Sequence, residues 1–202
     1  MPKVEVKGKA QLFSNPVLEA LSRTSPALTL IAYVPIAVGV SIAGFYYFGI
    51  QPLDLLTYGL LGVLAWTLIE YTLHRFLFHF INDNAVVQRF HYMVHGVHHH
   101  YPKDEGRLFM PPVPGYIIAT LLFGFWYLIL GLKVFAFFPG FMVGYLGYVF
   151  THYAIHKYKK PKNSLGYIWD HHNLHHFKYP QKAFGVSTPL WDLVFGTMPP
   201  RK

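Results

Sequence analysis

Residues 27–50 read ALTLIAYVPIAVGVSIAGFYYFGI, an apolar run without a single charged residue. A helix of this length crosses the hydrocarbon core of a bilayer, which is about 30 Å thick. Further apolar runs cover residues 55–73, about 113–132 and 134 to about 150. The buried helical core of a soluble protein is the alternative, but four long runs in 202 residues favour membrane spans.

Composition supports the same class of protein. Hydrophobic residues make up 53% of the chain, aromatic residues 18% and charged residues only 13%, whereas a soluble domain carries about 25% charged residues. The chain has no cysteine, which excludes disulfides, cysteine-based zinc sites and thiolate iron–sulfur clusters.

The order of the runs predicts an all-α integral membrane protein with four transmembrane helices, in one domain of residues 1–202. Two helical hairpins, at about 27–73 and 113–150, would support one histidine-rich helical cap from residues 74–112 and 151–202. The first ten residues are polar and basic and lead into no apolar core, so we expect no cleavable signal peptide.

The net charge of +8 is distributed unevenly. Every Lys and Arg except Lys133, including Lys3 and Lys7, falls in residues 1–26, 75–112 or 151–202. The positive-inside rule therefore predicts that both termini and every histidine lie at the cytoplasmic face. The chain has no nucleic-acid-binding motif and no basic helix with stacking aromatics, so we expect no nucleic-acid partner.

Histidine is the residue that carries chemistry here. The chain has 13 histidines, and none lies in the middle of an apolar run. Four motifs hold most of them, namely HRFLFH, HGVHH, HYAIH and HNLHH. The candidate metal ligands are His74, His79, His95, His98, His99, His152, His156, His172, His175 and His176. His91, His100 and His171 stand beside the motifs and are interpreted as ordinary packing or surface residues.

The spacing within the motifs indicates which side chains face together. Residues at i, i+3 and i+4 share a helix face, so His152 and His156 should point one way, as should each HxxHH triplet. His74 and His79 are five residues apart, about 140° around an ideal helix. Either they serve two different ions or the helix unwinds between them. Each hairpin thus ends in a histidine pair followed by an HxxHH, a loose two-fold echo.

Ten imidazoles suit two metal ions at five ligands each. Imidazole binds zinc, iron, copper and nickel, but zinc has no redox chemistry, so oxygen activation points to a functional di-iron centre, with zinc possible in a purified sample. Carboxylates are scarce, unlike in ferritin-like bundles. Glu70 and Asp170 either accept the free ring N–H of ligand histidines or are ordinary interfacial and capping residues.

The pattern HxxxxH, HxxHH, HxxxH, HxxHH resembles the fatty acid hydroxylase/sterol desaturase superfamily. Further segments are similar to the fatty acid 2-hydroxylases, which hydroxylate the acyl chains of sphingolipids at C2. These segments include Glu70-Tyr71, Met110-Pro111-Pro112, FGV at 184–186 and WDLVFGT at 191–197. The likeness covers nearly the whole chain.

The resemblance implies a specific chemistry. It implies that the ten motif histidines are the metal ligands, that O2 is the oxidant and that the product is a (2R)-hydroxy acyl chain. It implies a four-helix anchor under a cytosolic catalytic cap, in the endoplasmic reticulum or a bacterial inner membrane. Tyr148 matches a family tyrosine near the substrate path and is the candidate catalytic residue.

Two departures from the family pattern matter. Family members often carry an acid where this chain has Val149, which weakens any role carried over from that position. Many members also have an N-terminal cytochrome b5 domain, for which the residues before the first apolar run leave no room. We therefore expect a separate electron donor, such as cytochrome b5 or a ferredoxin, besides the membrane lipid substrate.

Several alternatives remain open from the sequence. Phe76, Phe109, Phe184 and Trp191 either line an acyl channel with Tyr148 or simply pack, and Arg107 either holds a lipid head group or contributes to the charge bias. A sterol or carotenoid hydroxylase or desaturase would use the same metals. A metal transporter would need polar residues within the spans, and a b-type cytochrome would need haem-ligating histidines there.

Overall fold

The computed structural model describes residues 4–5 and 8–200, which places Lys3, Lys7 and the last two residues outside it. Those described residues are helical or irregular, with no β-strand among them, so the all-α prediction is confirmed. Helices run over Pro16–Leu21 (α1), Pro26–Phe48 (α2), Pro52–Leu73 (α3), Ala85–His91 (α4), Val97–His100 (α5), Pro112–Leu130 (α6), Val134–Lys157 (α7), Gly166–Phe177 (α8) and Leu190–Val194 (α9).

The chain divides into two compact units. The histidine unit comprises the described residues of Met1–Ser22, Thr67–Leu108 and Tyr148–Lys202. The apolar unit comprises Arg23–Trp66 and Phe109–Gly147. The prediction of one domain over the whole chain is not tested by this division and stays a prediction.

Among the described residues, three helical stretches are long and apolar enough to cross a membrane: Pro26–Phe48, Pro52–Phe78 and Glu105–Lys157. The third is 53 residues long and contains both α6 and α7, which are joined by a 3-10 turn at Gly131–Lys133. Length and composition thus indicate a membrane protein with three candidate stretches, where the sequence predicts four spans.

Local sequence explains where α2 begins and ends. The Ser25 hydroxyl accepts the N–H of Leu28 at 3.2 Å, and Pro26 occupies the first helical turn. A serine cap followed by proline is a favoured helix start, since proline has no N–H to leave unpaired. The helix ends at Phe48 and is capped by Gly49, whose φ of 63° lies in the left-handed region that glycine adopts readily.

Glycines set the packing of α3 against α7 within the apolar unit. A Cβ on Gly140 would lie 1.9 Å from the carbonyl oxygen of Gly59, and a Cβ on Gly62 would lie 2.2 Å from that of Phe137. The two backbones therefore touch, as small residues allow in membrane helix pairs.

A buried arginine holds the N-terminal segment of the histidine unit in place. The Arg107 side chain is 2% exposed and forms an ion pair with Glu19. It also donates to the carbonyl oxygens of Ser22 at 2.9 Å and Ala10 at 3.2 Å. Of the two alternatives that the sequence leaves open, the head-group ligand is not the one observed, because Nη1 and Nη2 of Arg107 bind internal partners.

Candidate metal centre

The ten motif histidines gather into two clusters of five within the histidine unit. In each cluster, one ring nitrogen of every residue lies within 4.8 Å of those of the other four. The first cluster consists of His74, His79, His95, His99 and His175, and the second of His98, His152, His156, His172 and His176. All are buried except His99 and His156, which are half-buried.

Each HxxHH motif contributes two histidines to one cluster and its i+3 histidine to the other. The first takes the pair of the first hairpin, the i and i+4 residues of HGVHH, and the i+3 residue of HNLHH. The second takes the later pair, the i and i+4 residues of HNLHH, and the i+3 residue of HGVHH. His98 and His175 are the exchanged residues. The prediction that each HxxHH triplet points one way is therefore wrong, although His152 and His156 do share a cluster.

A π-helical turn at His74–Phe78 explains how His74 and His79 meet. The His79 N–H donates to the His74 carbonyl at 3.2 Å, an i+5 hydrogen bond. The wider turn brings the two rings to 5.1 Å between centroids. Of the two possibilities that the sequence leaves open, departure from α-helical geometry is the one observed. Such single π-turns occur often at functional sites.

Hydrogen bonds fix which nitrogens in the first cluster carry lone pairs. His74 Nδ1 donates to the Phe184 carbonyl at 2.5 Å, and His175 Nδ1 donates to the Lys182 carbonyl at 2.7 Å. A carbonyl oxygen only accepts, so the Nε2 atoms of both neutral rings are free to bind a cation. His95 Nε2 lies 3.0 Å from His74 Nε2, and His99 Nε2 lies 3.2 Å from His175 Nε2.

The second cluster shows the same convergence of Nε2 atoms. His156 Nε2 lies 3.2 Å from His152 Nε2 and 3.0 Å from His172 Nε2. His98 Nε2 lies 3.0 Å from His176 Nε2. Neutral imidazole nitrogens that both present lone pairs repel each other at such distances, whereas a cation between them turns that repulsion into ligation. Both donor sets therefore fit a metal ion that favours imidazole.

The two clusters adjoin. The rings of His99 in the first cluster and His176 in the second stack at 4.2 Å between centroids, with 17° between their planes. The His98 and His99 neighbours on α5 therefore face two different clusters from one turn of helix. Two ions bound here would belong to one site.

Burial keeps the imidazoles neutral. Desolvation, reinforced by neighbouring histidines, holds the pKa of His95, His98 and His172 well below the usual 6.5. The same causes lower the pKa of His79 to about 2. Neutral imidazole is the form that binds a metal ion, so these rings need no deprotonation before they do so.

Glu70 and Asp170, the two carboxylates that the sequence places near the histidine motifs, bind backbone N–H groups and a lysine. Glu70 accepts the N–H groups of Val186 and Ser187 at 2.7 and 2.9 Å. Asp170 is half-exposed and pairs with Lys160 at 2.5 Å. No cluster histidine is among these partners, so of the two alternatives that the sequence leaves open, acceptance of ligand ring N–H groups is not the one observed.

Asp192 has structural partners that its position in the sequence does not predict. It is fully buried and accepts from His171 Nε2 at 3.0 Å. Burial alone would raise its pKa, but the hydrogen bonds that it accepts hold the pKa below its ordinary value. His171, like His91 and His100, lies outside both clusters. The WDLVFGT segment was the available signal, but nothing local in it points to the partners of Asp192.

Two of the predicted lining aromatics lie against the clusters. The Phe184 ring is 5.5 Å from that of His79 and 5.6 Å from that of His175, edge to face. The Tyr148 ring lies parallel to that of His152 at 5.9 Å, within 7°. The others have different surroundings, since Trp191 donates to Thr67 and Phe76 is 61% exposed beneath Arg75. Phe109 is buried and belongs to the apolar unit.

Two curated proteins are similar to this chain in sequence. The ceramide very long chain fatty acid hydroxylase scs7 of Schizosaccharomyces pombe is 37% identical over 199 residues, covering 96% of this chain and 56% of that protein. The dihydroceramide fatty acyl 2-hydroxylase FAH2 of Arabidopsis thaliana is 41% identical over 145 residues, covering 70% of this chain and 60% of that protein. The chain therefore spans little more than half the length of these curated relatives.

A solved structure and a family model agree with them. The structure described as full length scs7p, with only its hydroxylase domain visible, superposes with a TM-score of 0.88 at 35% identity, covering 96% of this chain and 74% of that one. The family model described as fatty acid hydroxylase matches residues 59–197, which contain both histidine clusters. The chain belongs to the fatty acid hydroxylase family.

Proposed function

We propose that this protein hydroxylates C2 of a lipid acyl chain, as a fatty acid or as the N-acyl chain of a sphingolipid. The observation that carries the proposal is the pair of adjoining five-histidine clusters, which offers ten neutral imidazoles and room for two ions. The names of the relatives, which include ceramide and dihydroceramide acyl hydroxylases, support a ceramide-type substrate.

The reaction inserts one oxygen atom into a C–H bond next to a carbonyl. One O2, two electrons and two protons convert the CH2 group to CHOH and release one water. When bound, two redox-active ions, expected to be iron, supply the oxygen-activating chemistry that no side chain of this protein can provide. Zinc would occupy the same imidazoles without that activity.

The protein's own residues orient the substrate and exclude water. Phe184, packed edge-on against rings of the first cluster, presents an apolar wall on which an acyl chain can lie. Tyr148, parallel to the His152 ring of the second cluster, is proposed as the catalytic residue, its hydroxyl lying near the carbon that reacts. Because Phe184 lies beside the first cluster and Tyr148 beside the second, we propose that the acyl chain enters between these two side chains.

The membrane arrangement is part of the proposal. We propose that α2, α3, α6 and α7 each cross the bilayer and that both clusters lie at the cytoplasmic face, in the endoplasmic reticulum or a bacterial inner membrane. The distribution of charge supports this orientation. Every Lys and Arg except Lys133 falls in residues 1–26, 75–112 or 151–202, and the positive-inside rule places such segments on the cytoplasmic side. A separate cytochrome b5 or ferredoxin would deliver the two electrons.

Lipid mass spectrometry in a host without 2-hydroxylated lipids tests the proposal. The wild-type protein and a His172→Ala variant are expressed at matched levels with a candidate donor. We expect 2-hydroxy acyl chains with the wild type and none with the variant. Hydroxylated sterols or carotenoids in place of 2-hydroxy acyl chains would contradict the substrate class, while a fully active variant would contradict the role of the second cluster.

A further inference from the structure

The buried segment of residues 182–187 lies between the first cluster and two buried carboxylates. Its carbonyl oxygens at Lys182 and Phe184 accept from the Nδ1 atoms of His175 and His74. Both histidines belong to the first cluster. The segment thus sets the tautomer and the ring direction of two of the five imidazoles.

The amide side of the same segment is held by the carboxylates. Asp192 accepts the N–H groups of Phe184 at 2.9 Å and Gly185 at 2.8 Å. Glu70 accepts the next two, from Val186 and Ser187. Four consecutive N–H groups therefore bind two acids, which determines the direction in which the intervening carbonyls point.

The conformation of the segment depends on these contacts. Ala183 has a φ of 59°, in the left-handed region that residues other than glycine rarely adopt. Its N–H donates to the Thr197 carbonyl at 2.9 Å, and the Thr197 hydroxyl donates to Asp192 at 2.7 Å. Asp192, which is 0% exposed, is thus the centre of the network that keeps Ala183 in this unfavourable backbone region.

Four of the five rings in the second cluster lack such backbone support in the described part of the chain. The Nδ1 atoms of His98, His152, His172 and His176, and that of His99 in the first cluster, have no hydrogen-bond partner among residues 4–5 and 8–200. Two rings of the first cluster, those of His74 and His175, thus have a backbone acceptor that these rings lack.

We infer that Asp192 is a positioning residue for the first cluster: through residues 182–187 it orients His74 and His175, so that metal affinity there depends on Asp192 and metal affinity at the second cluster does not. The inference rests on the proposal that both clusters bind metal ions. Among the described residues, the ring that hydrogen-bonds Asp192 is that of His171, which lies outside both clusters.

Zinc titration of the purified full-length protein in detergent, with a competing chelator, tests the inference. Two backgrounds isolate the clusters: His172→Ala disables the second cluster, and His95→Ala disables the first. Asp192→Asn keeps the shape of the side chain but puts an NH2 group where two donors now meet an oxygen. In the His172→Ala background it should weaken the remaining zinc site about 10- to 100-fold. In the His95→Ala background the zinc affinity should be unchanged.

A matched control separates orientation from general loss of stability. Glu19→Gln also neutralises a carboxylate that accepts two consecutive N–H groups, those of Leu12 and Phe13, in the same unit. It should leave both zinc sites intact. If Asp192→Asn does not fold, Thr197→Val, which removes one donor to Asp192, should weaken the first site alone and by less.

The outcomes distinguish this inference from the proposed function. A wild-type protein that binds no zinc would overturn both the metal-binding proposal and the inference. Two wild-type sites with equal effects of Asp192→Asn on both, or no effect on either, would overturn the inference and leave the proposed function standing. If Asp192→Asn does not fold, equal effects of Thr197→Val on both sites, or no effect on either, would overturn the inference in the same way.

Discussion

Because His98 and His175 lie in different clusters from their neighbours in the sequence, two double variants should differ in the number of metal ions that they bind. His98→Ala/His176→Ala removes two ligands from the second cluster, whereas His98→Ala/His99→Ala removes one from each. The two variants share His98→Ala and differ only in whether His176 or His99 is also replaced. These two rings stack on each other at 4.2 Å, so their surroundings are similar. The first double variant should keep one metal ion, and the second should lose both at limiting metal concentration.

The size of the effect follows from five ligands per cluster. Zinc sites in small folded peptides bind with about 10–16 kcal/mol, so one of five ligands is worth about 2–3 kcal/mol, or roughly 30- to 200-fold in affinity. At a free zinc concentration about tenfold above the wild-type dissociation constant, one missing ligand therefore empties most of its cluster.

Metal analysis after equilibrium dialysis at that zinc concentration measures the stoichiometry directly. We expect two ions for the wild type, one for His98→Ala/His176→Ala and none for His98→Ala/His99→Ala. If the adjacent pair keeps one ion while the distant pair loses both, neighbouring histidines share an ion and the exchange is refuted.

Further predictions address packing, pH and the candidate catalytic residue. Gly140→Ala should lower the thermal midpoint of unfolding, because its Cβ would lie 1.9 Å from a backbone oxygen and overpacking costs about 1–3 kcal/mol; Gly147→Ala on the same helix, with nothing within 4 Å, should not. The metal-free protein should lose stability as pH falls below 6.5. The folded-state pKa of His79, about 2, lies below its unfolded value, so the unfolded chain binds more protons; a thermal midpoint unchanged between pH 8 and pH 5 would contradict this. Tyr148→Phe should keep the parallel ring and the metal content but lower product formation about 100-fold if its hydroxyl acts in proton transfer; wild-type turnover would exclude that role.

Ligand chemistry made part of the site predictable from the sequence. Histidines that recur at i and i+4 reach one face of a helix, and in the structure His152 with His156, and His95 with His99, share a cluster. The helical class followed from the length of the apolar runs, because a chain in lipid must satisfy its backbone hydrogen bonds within each segment.

The remaining features depend on tertiary contacts that no local pattern encodes. The i+3 residue His175 lies about 60° around α8 from His172, and the HGVHH motif passes from a π-helical turn at Tyr92–Gly96 into α5. Which cluster His98 and His175 face is decided only when the helices pack together. The π-turn at His74 needs an i+5 hydrogen bond that competes with ordinary helix geometry. Asp192 reaches residues 184 and 185 through a fold-back of the chain, so its spacing carries no signal.

The role of Arg107 was undecided from the sequence for a related reason. An arginine beside a membrane-facing segment usually contributes to the charge bias or meets a head group, and nothing in residues 105–112 indicates otherwise. Its partners, Glu19 and Ser22, are more than eighty residues earlier in the chain. Only the packed structure shows that the guanidinium is internal.

Isotope labelling identifies both the source of the inserted oxygen atom and the carbon that receives it. The purified, iron-loaded protein is given an electron donor and a ceramide, and the reaction is run under 18O2. We expect one 18O atom at C2 of the acyl chain, and none when the label is supplied as water. Label at another carbon, label taken from water, or equal product from the His98→Ala/His99→Ala variant would contradict it.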